Sequence, residues 1–554
     1  MINITINGNS VKAREDATVL EASREDPYAS KQFDVNVLSL HYLKEIQEED
    51  DSGLCIAEIK GMGMINASKV KVKEGMVITT NSAEIQKHQK EVLKKILEHH
   101  DLDCRNCFRT GNCELQEIQH ILRTTKAESE KEYKVYPIRK DGIIVRDDNK
   151  CIRCGRCVAV CDKIQGVGAI KMEGEDEQKK VVPVKDTLKE SGCVNCGQCI
   201  SVCPVGALRE RDDIDEIFDA IADPDKYVVV QVSPSVRVSA GEAFRYPIGS
   251  ETKGKLVSAC RKLGFDRVFD TVFGADLTIM EETKELAEHL QQEGRMPMFT
   301  SCCPGWITYC ENNHPELLGH LSSCKSPQQM FGAMTKTYLA EKENRNKEDI
   351  VVVSVMPCTA KKYERTRLDE AAAGVPDVDY AITNRELARM IQKKNISFLA
   401  LNDEKFDEPF GIETGSGTIF GAAGGVLESA KRTLKDMYGI DSVRAVSVSG
   451  LAQVEALLER IKNGEVLYDF VEVMACPGGC VNGGGQPQQL AEISNVIDIR
   501  SKRADSLYKL DSCCDVRKSY ENSAIKELYK SYLGEPGSKK AQQYLHTTYM
   551  AKGK

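Results

Sequence analysis

Eight cysteines stand in two identical runs. Cys151, Cys154, Cys157 and Cys161 follow the spacing C-x2-C-x2-C-x3-C, and Cys193, Cys196, Cys199 and Cys203 repeat it 42 residues later. No other feature limits the fold as tightly. Loops of this spacing wrap two 4Fe–4S clusters, with the fourth cysteine of each run ligating the other cluster. One cluster is assigned to Cys151, Cys154, Cys157 and Cys203, and the second to Cys193, Cys196, Cys199 and Cys161. The two runs must therefore fold as one unit. Pro204 follows the second run as the pattern expects, whereas Asp162 follows the first. A zinc ribbon does not account for eight cysteines at this spacing.

The chain has 22 cysteines in 554 residues. Its start, MINITINGNSVKA, alternates like a strand and does not read as a signal peptide. Metal ligation is then expected rather than disulfides, in the cytoplasm of an anaerobic cell. A net charge of −9 argues against a nucleic-acid binder, which needs a basic surface. No apolar run reaches the roughly 18 residues of a membrane span.

Five units are expected. Residues 1–80 are strand-rich, with a helical stretch near Ala17–Arg24, and resemble the β-grasp domain that holds a plant-type 2Fe–2S centre. The usual thiols are missing: His41 stands before YLK, Ser68 falls near the last ligand position, and Cys55 is the sole cysteine of the unit. One thiol cannot hold a four-thiolate cluster, so the reading is a retained fold with a lost cluster; a site rebuilt on His41 is the other option. Residues 81–125 begin with an amphipathic helix over 82–99, capped by Asn81 with Glu84 three residues on and Ile85, Val92, Ile96 and Leu97 on one face. They continue into His100, Cys104, Cys107 and Cys113, a set that suits a His-ligated 4Fe–4S cluster or, as an alternative, zinc. Residues 140–212 resemble a two-cluster bacterial ferredoxin, with KMEGEDEQKK read as a solvated loop. Residues 226–498 alternate buried strands with helices, which implies an α/β domain with parallel sheets. Residues 499–554 turn polar and helical.

Three further segments carry the chemistry: TSCCPGW (Thr300–Trp306), MPCTAKKYE (Met356–Glu364) and EVMACPGGCVNGGGQP (Glu472–Pro487). They resemble the signature loops of iron-only hydrogenases. The resemblance covers the chain from about residue 80 onward, and residues 1–80 in fold only. It implies reversible hydrogen oxidation at an H-cluster: a 4Fe–4S cubane bridged to a two-iron unit that carries carbon monoxide, cyanide and azadithiolate. By that resemblance Cys303, Cys358, Cys476 and Cys480 ligate the cubane, with Cys480 as the bridge. Lys361, Met356, Met474, Ser233, Pro234, Ser235, Gln328 and Phe420 line the pocket. Glycines 478, 479, 483, 484 and 485 are expected to let backbone approach the cofactor.

The resemblance also implies a proton route through Cys302, Glu282, Ser322 and Glu285, with His289 at the position usually held by arginine. Histidine shuttles protons itself. Pro304 should start a helix whose positive end draws the Cys302 thiol from about 8.5 toward neutral. Glu364 is a candidate for a second route. Cys55, Cys260, Cys310, Cys324, Cys513 and Cys514 are left over, and the Cys513–Cys514 pair is a weak candidate for metal. The segment 499–554 resembles the hydrogenase small subunit.

GSETKGK (Gly249–Lys255) lacks the Ser or Thr of a phosphate loop, and GSGTIFG lacks dinucleotide spacing, so no nucleotide is expected. Electrons are expected to pass through three accessory 4Fe–4S clusters to ferredoxin or to a partner iron–sulfur subunit, as in hydrogen-dependent carbon dioxide reductases. Maturation proteins are implied, because the chain cannot build the two-iron unit. An iron–sulfur assembly factor and a sensory hydrogenase are the alternative readings. Cys302 and Lys361 argue against the first, and the lack of an added sensor domain argues against the second.

Overall fold

The computed structural model describes residues 1–25, 36–46, 49–124, 135–140, 142–175, 179–291 and 296–552. The N-terminal unit is one five-stranded sheet, ordered β2-β1-β5-β3-β4. Its strands are β1 (Ile2–Ile6), β2 (Asn9–Ala13), β3 (Ile56–Ile59), β4 (Gly63–Asn66) and β5 (Val77–Thr79). Asn7 and Gly8 take positive φ between β1 and β2, which a two-residue hairpin turn requires. Ile2, Ile4 and Ile6 alternate inward onto the short helix Val19–Ala22. The helix of the second unit is Ala83–Leu97. Ser82 caps it, not Asn81, because the Ser82 hydroxyl accepts the Ile85 amide. Its buried face is Ile85, Gln89, Leu93 and Leu97; Val92 and Ile96 lie at the margin.

The paired runs fold with the internal symmetry that their spacing requires. Arg153 and Gly155 in the first run and Asn195 and Gly197 in the second all take positive φ. Each glycine starts a one-turn helix, Arg156–Ala159 and Gln198–Ser201. Strands β6 (Ile144–Arg146), β7 (Ile170–Glu173), β8 (Lys180–Pro183) and β9 (Leu208–Glu210) pair as two antiparallel ladders, β6–β9 and β7–β8. KMEGEDEQKK is thus not simply a loop: both its ends belong to strands, since the pairing register runs from Ile170–Pro183 to Glu173–Lys180. Residues 176–178 of that stretch lie outside the described residues.

The large α/β unit is built on β10 (Tyr227–Val232), β11 (Arg267–Asp270), β12 (Met298–Phe299), β13 (Ile350–Met356), β14 (Tyr380–Thr383), β15 (Ala445–Ser449) and β16 (Phe470–Met474). They form two parallel sheets, β11-β10-β13-β14 and β12-β16-β15. The apolar runs in β10 and β13 follow from burial on both faces. Tyr227, Val229, Ile350 and Val352 point into one core, while Val228, Val230, Val353 and Val355 point into the other. The C-terminal helices close the first core with Ile525, Leu528, Tyr529, Leu533, Ala541 and Leu545. Beyond them, His546 bridges to Cys324. Among the described residues no helix is long and apolar enough to cross a membrane.

The two distractor segments pack as ordinary structure. A Cβ at Gly249 would meet the Lys502 carbonyl at 2.7 Å, and one at Gly417 would meet Val272 at 2.6 Å.

Candidate active site and cluster relay

Open parallel sheets present their loops at the carboxyl ends of their strands. Here β10 leads into Ser233, β12 into Cys302 and Cys303, β13 into Cys358, and β16 into Cys476 and Cys480. The four thiols of Cys303, Cys358, Cys476 and Cys480 converge. Burial pushes Cys358 up to about 11 and Cys476 well above the ordinary range; the neighbouring members of the set add to both shifts. Cys480 is raised for the same two reasons. The Ala475 amide donates to the Cys303 sulfur at 3.4 Å. Two buried thiols, Cys358 and Cys476, and two half-buried ones, Cys303 and Cys480, brought this close together suit ligation of iron, whose positive charge stabilises thiolates.

The loop glycines let protein loops approach one another. A Cβ at Gly483 would lie 2.4 Å from the Pro357 carbonyl oxygen, and one at Gly484 2.2 Å from the Cys196 carbonyl oxygen. The close approach is therefore between protein loops. In particular, Gly484 seats the loop that carries Cys480 against Cys196 and Gly197 of the paired runs.

Lys361 Nζ donates to the Cys302 carbonyl at 3.0 Å and to Glu364 at 3.1 Å. Burial works against its charge, but Glu364 and the thiols of Cys358 and Cys302 prevail, so its pKa is raised. Glu364 also accepts from Ser326 at 2.8 Å and from Gln328 at 2.5 Å, which leaves the Gln328 Oε1 buried and, among the described residues, unpartnered. Phe420 and Met474 share a core with Cys302. Ser233 and Ser235 hydroxyls lie 3.2 Å apart, Pro234 and Met356 are buried, and Gln486 Nε2 donates to the carbonyls of both Ser235 and Cys480 at 3.2 Å. The sequence reading missed Gln486, although it sits inside the third loop.

Cys302 does not sit as expected. Its thiol is pushed well above the ordinary range, chiefly by burial and then by Glu282 and Cys303; Lys361 opposes them. The helix Pro304–Asn313 does begin behind it, but desolvation outweighs the helix end. Glu282 is fully buried and lifted to about 8, first by burial and then by Glu285. It faces Ser322 and the Ser301 amide, with no well-formed hydrogen bond to either. Ser322 then donates to Glu285 at 2.8 Å. His289, on the same helix (Val272–Gln291), makes no hydrogen bond to Glu285, and its Nδ1 is buried without a partner among the described residues. Glu285 instead accepts the Ser323 amide at 3.1 Å. The Ser323 hydroxyl meets His546 Nδ1 at 2.8 Å, and His546 Nε2 meets Glu281 at 3.0 Å. No linear signal marks His546, more than 200 residues away.

The eight cysteines of the paired runs gather in two neighbouring groups. Cys157 and Cys203 act on the charge of Cys154, Cys203 and Cys151 on Cys157, and Cys151 on Cys203. Cys161 acts on Cys193, and Cys161 and Cys193 act on Cys196 and Cys199. Cys157 and Cys203 also act on Cys199, so the two groups adjoin. Cys196 also acts on Cys476, so the second group adjoins the third signature loop. A separate recess is lined by His100, Cys104, Cys107 and Cys113. Burial and Lys150 lower His100 to about 4, which keeps a ring nitrogen free to ligate, and its Nδ1 has no partner among the described residues. Cys107 Sγ packs on Gly206, just past Cys203, which joins this recess to the first set. Among the described residues, no three His, Cys, Asp or Glu side chains close to the distances of a single metal ion.

The N-terminal unit is different. Asp50 Oδ2 accepts the amides of Leu40, His41 and Tyr42 at 2.7–3.1 Å, and its own amide donates to Ser68 Oγ at 2.9 Å. Cys55 is buried and pushed up to about 12, by burial first and then by Asp50. A four-thiolate 2Fe–2S centre does not fit this donor set. Cys513 is exposed and Cys514 half-buried; Cys260, Cys310 and Cys324 lie in the core.

Five family models match the chain. They are the C-terminal domain of the iron only hydrogenase large subunit (residues 226–484), the iron hydrogenase small subunit (497–552), the 4Fe-4S dicluster domain (150–207), the NADH-ubiquinone oxidoreductase-G iron-sulfur binding region (89–126) and the 2Fe-2S iron-sulfur cluster binding domain (1–83). Iron hydrogenase 1 of Clostridium pasteurianum is 38% identical, over 99% of this chain and 100% of the relative. The NADP-reducing hydrogenase subunit HndD of Solidesulfovibrio fructosivorans is 39% identical, over 99% of each. A solved structure of the FeFe-hydrogenase HydA1 from Chlamydomonas reinhardtii matches with a TM-score of 0.54 at 37% identity, covering 62% of this chain and all of that one.

Proposed function

Because the chain belongs to the iron-only hydrogenase family, with accessory iron–sulfur domains, we propose that it interconverts hydrogen with protons and electrons at an H-cluster held by Cys303, Cys358, Cys476 and Cys480. The observation that carries this reading is the convergence of those four thiols beside Cys302 and Glu282. The H-cluster, when bound, supplies the hydrogen-splitting chemistry, for which no side chain is adequate.

The chain's residues do the rest. Cys480 would be the thiolate shared between the two parts of the cofactor. Lys361 would offer it a buried cation, and Met356, Met474, Phe420, Ser233, Pro234, Ser235 and Gln328 would shape a dry pocket around it. Cys302 exchanges a proton as a neutral thiol, which its raised pKa favours. Glu282 at about 8 holds and releases that proton near neutral pH. Ser322 passes it to Glu285. His289 is retained as an outlet only by a side-chain rotation.

Three accessory 4Fe–4S clusters would be held by the His100 site, the Cys151 set and the Cys193 set, and would supply an electron path whose order follows from the adjacency of Cys107 to Gly206 and of Cys196 to Cys476. The β-grasp unit carries no cluster. The partner is ferredoxin or an iron–sulfur subunit; the full-length similarity to a subunit of an NADP-reducing hydrogenase supports the second, and a hydrogen-dependent carbon dioxide reductase is one assembly of that type. Replacing Cys113 by Ser tests the entry point: electron delivery from the partner should collapse while deuterium exchange with water continues. Unimpaired delivery would remove the His100 site from the relay.

A further inference from the structure

The roles above leave Arg109 unused. It is only 4% exposed and stands in the wall of the recess formed by His100, Cys104, Cys107 and Cys113. Its Nε and Nη1 are buried and, among the described residues, have no hydrogen-bond partner. No carboxylate of the described residues forms an ion pair with it. Glu114, the nearby acid, is engaged in two 2.8 Å bonds to Arg156. Other arginines near the thiols are better served: Arg146 bonds Asp148 at 2.6 Å and the Cys151 sulfur at 3.1 Å.

A guanidinium does not deprotonate in a protein, and a buried cation without a counter-ion is strongly disfavoured. Something anionic must therefore face Arg109. Geometry identifies the direction: Arg109 lines the same recess as His100, Cys104, Cys107 and Cys113, and its side chain packs with the Cys107 sulfur beside Gly206, just past Cys203 of the first crossed set. Thiolate-ligated clusters carry net negative charge, and each added electron increases it. A fixed cation beside such a cluster stabilises the reduced form.

We propose that Arg109 is the cationic partner of the iron–sulfur cluster held by His100, Cys104, Cys107 and Cys113, donating N–H bonds toward its sulfurs and raising its reduction potential. The assignment rests on the reading of those four residues as cluster ligands. It makes Arg109 a tuning residue of the electron-entry cluster, poised on the side facing the next one.

The test is a redox titration of the full-length, cluster-loaded protein followed by electron paramagnetic resonance. The His100 signal is first identified as the one that Cys113→Ser removes. In Arg109→Met, the reduced-to-oxidised ratio of that cluster at the wild-type midpoint should fall at least tenfold, a 59 mV downward shift for a one-electron couple. An unchanged or raised midpoint overturns the proposal. If Arg109→Met does not load this site, Arg109→Lys decides: a loaded cluster supports a need for the cation, and an empty site overturns it. A wild-type spectrum that Cys113→Ser leaves unaltered rejects the cluster assignment itself, and the proposal falls with it.

Discussion

Glu282 offers a prediction whose size follows from its burial. Its carboxyl is lifted from 4.5 to about 8, by desolvation first and by Glu285 second. Between those values the native chain holds a proton that the unfolded chain has lost. Stability contributed by this group therefore falls as pH rises through that window. At ~1.4 kcal/mol per pH unit, the loss between pH 5 and 7 is about 3 kcal/mol. Glu282→Gln keeps the size and neutrality of the protonated acid and cannot titrate, so it escapes this loss. Asp276, raised to about 7, titrates in both proteins and cancels in the comparison. The variant's thermal midpoint should match wild type near pH 5 and exceed it progressively toward pH 7, by roughly 6–12 °C at 2–4 °C per kcal/mol. Hydrogen turnover should fall ~10²–10⁴-fold, because the amide cannot take up and return a proton. Parallel midpoint-versus-pH curves would refute the raised carboxyl, and wild-type turnover would refute its place in the route.

Three other substitutions probe separate parts of the machinery. Cys302→Ala should keep the cofactor and its infrared bands while turnover nearly vanishes; a wild-type rate would remove the thiol from the mechanism. Gly484→Ala places a Cβ 2.2 Å from the Cys196 carbonyl oxygen, so it should cost about 1–3 kcal/mol in stability and slow electron delivery more than deuterium exchange. An unshifted thermal midpoint would contradict the tight seat. Asp50→Asn weakens the hub that gathers three backbone amides; it should lower the midpoint without changing iron content, and any loss of iron would show that the β-grasp unit holds a cluster after all.

Much of the site is legible in the sequence, because cluster ligation imposes short, fixed cysteine spacings. The crossed sets of Cys151–Cys203 and Cys161–Cys199 follow from spacing alone, and the structure brings those thiols together. The strand–loop placement of Cys358 follows from a doubly buried run that ends in a signature loop. What spacing does not encode is desolvation. The helix behind Cys302 is visible in Pro304, but the burial that raises the thiol depends on Glu282 and Phe420 arriving from elsewhere. The Ser323–His546–Glu281 link is hidden for the same reason: it joins an internal segment to the C-terminal one. The helix cap at 81–82 is a choice between adjacent residues of equal propensity, decided by which side chain reaches the Ile85 amide.

The decisive measurement is infrared spectroscopy of the protein after exposure to its maturation system. Sharp bands from carbon monoxide and cyanide bound to iron are expected, lost together when Cys480 is replaced by Ala. A fully iron-loaded preparation without those bands would contradict the assignment of Cys303, Cys358, Cys476 and Cys480 to a hydrogen-activating centre.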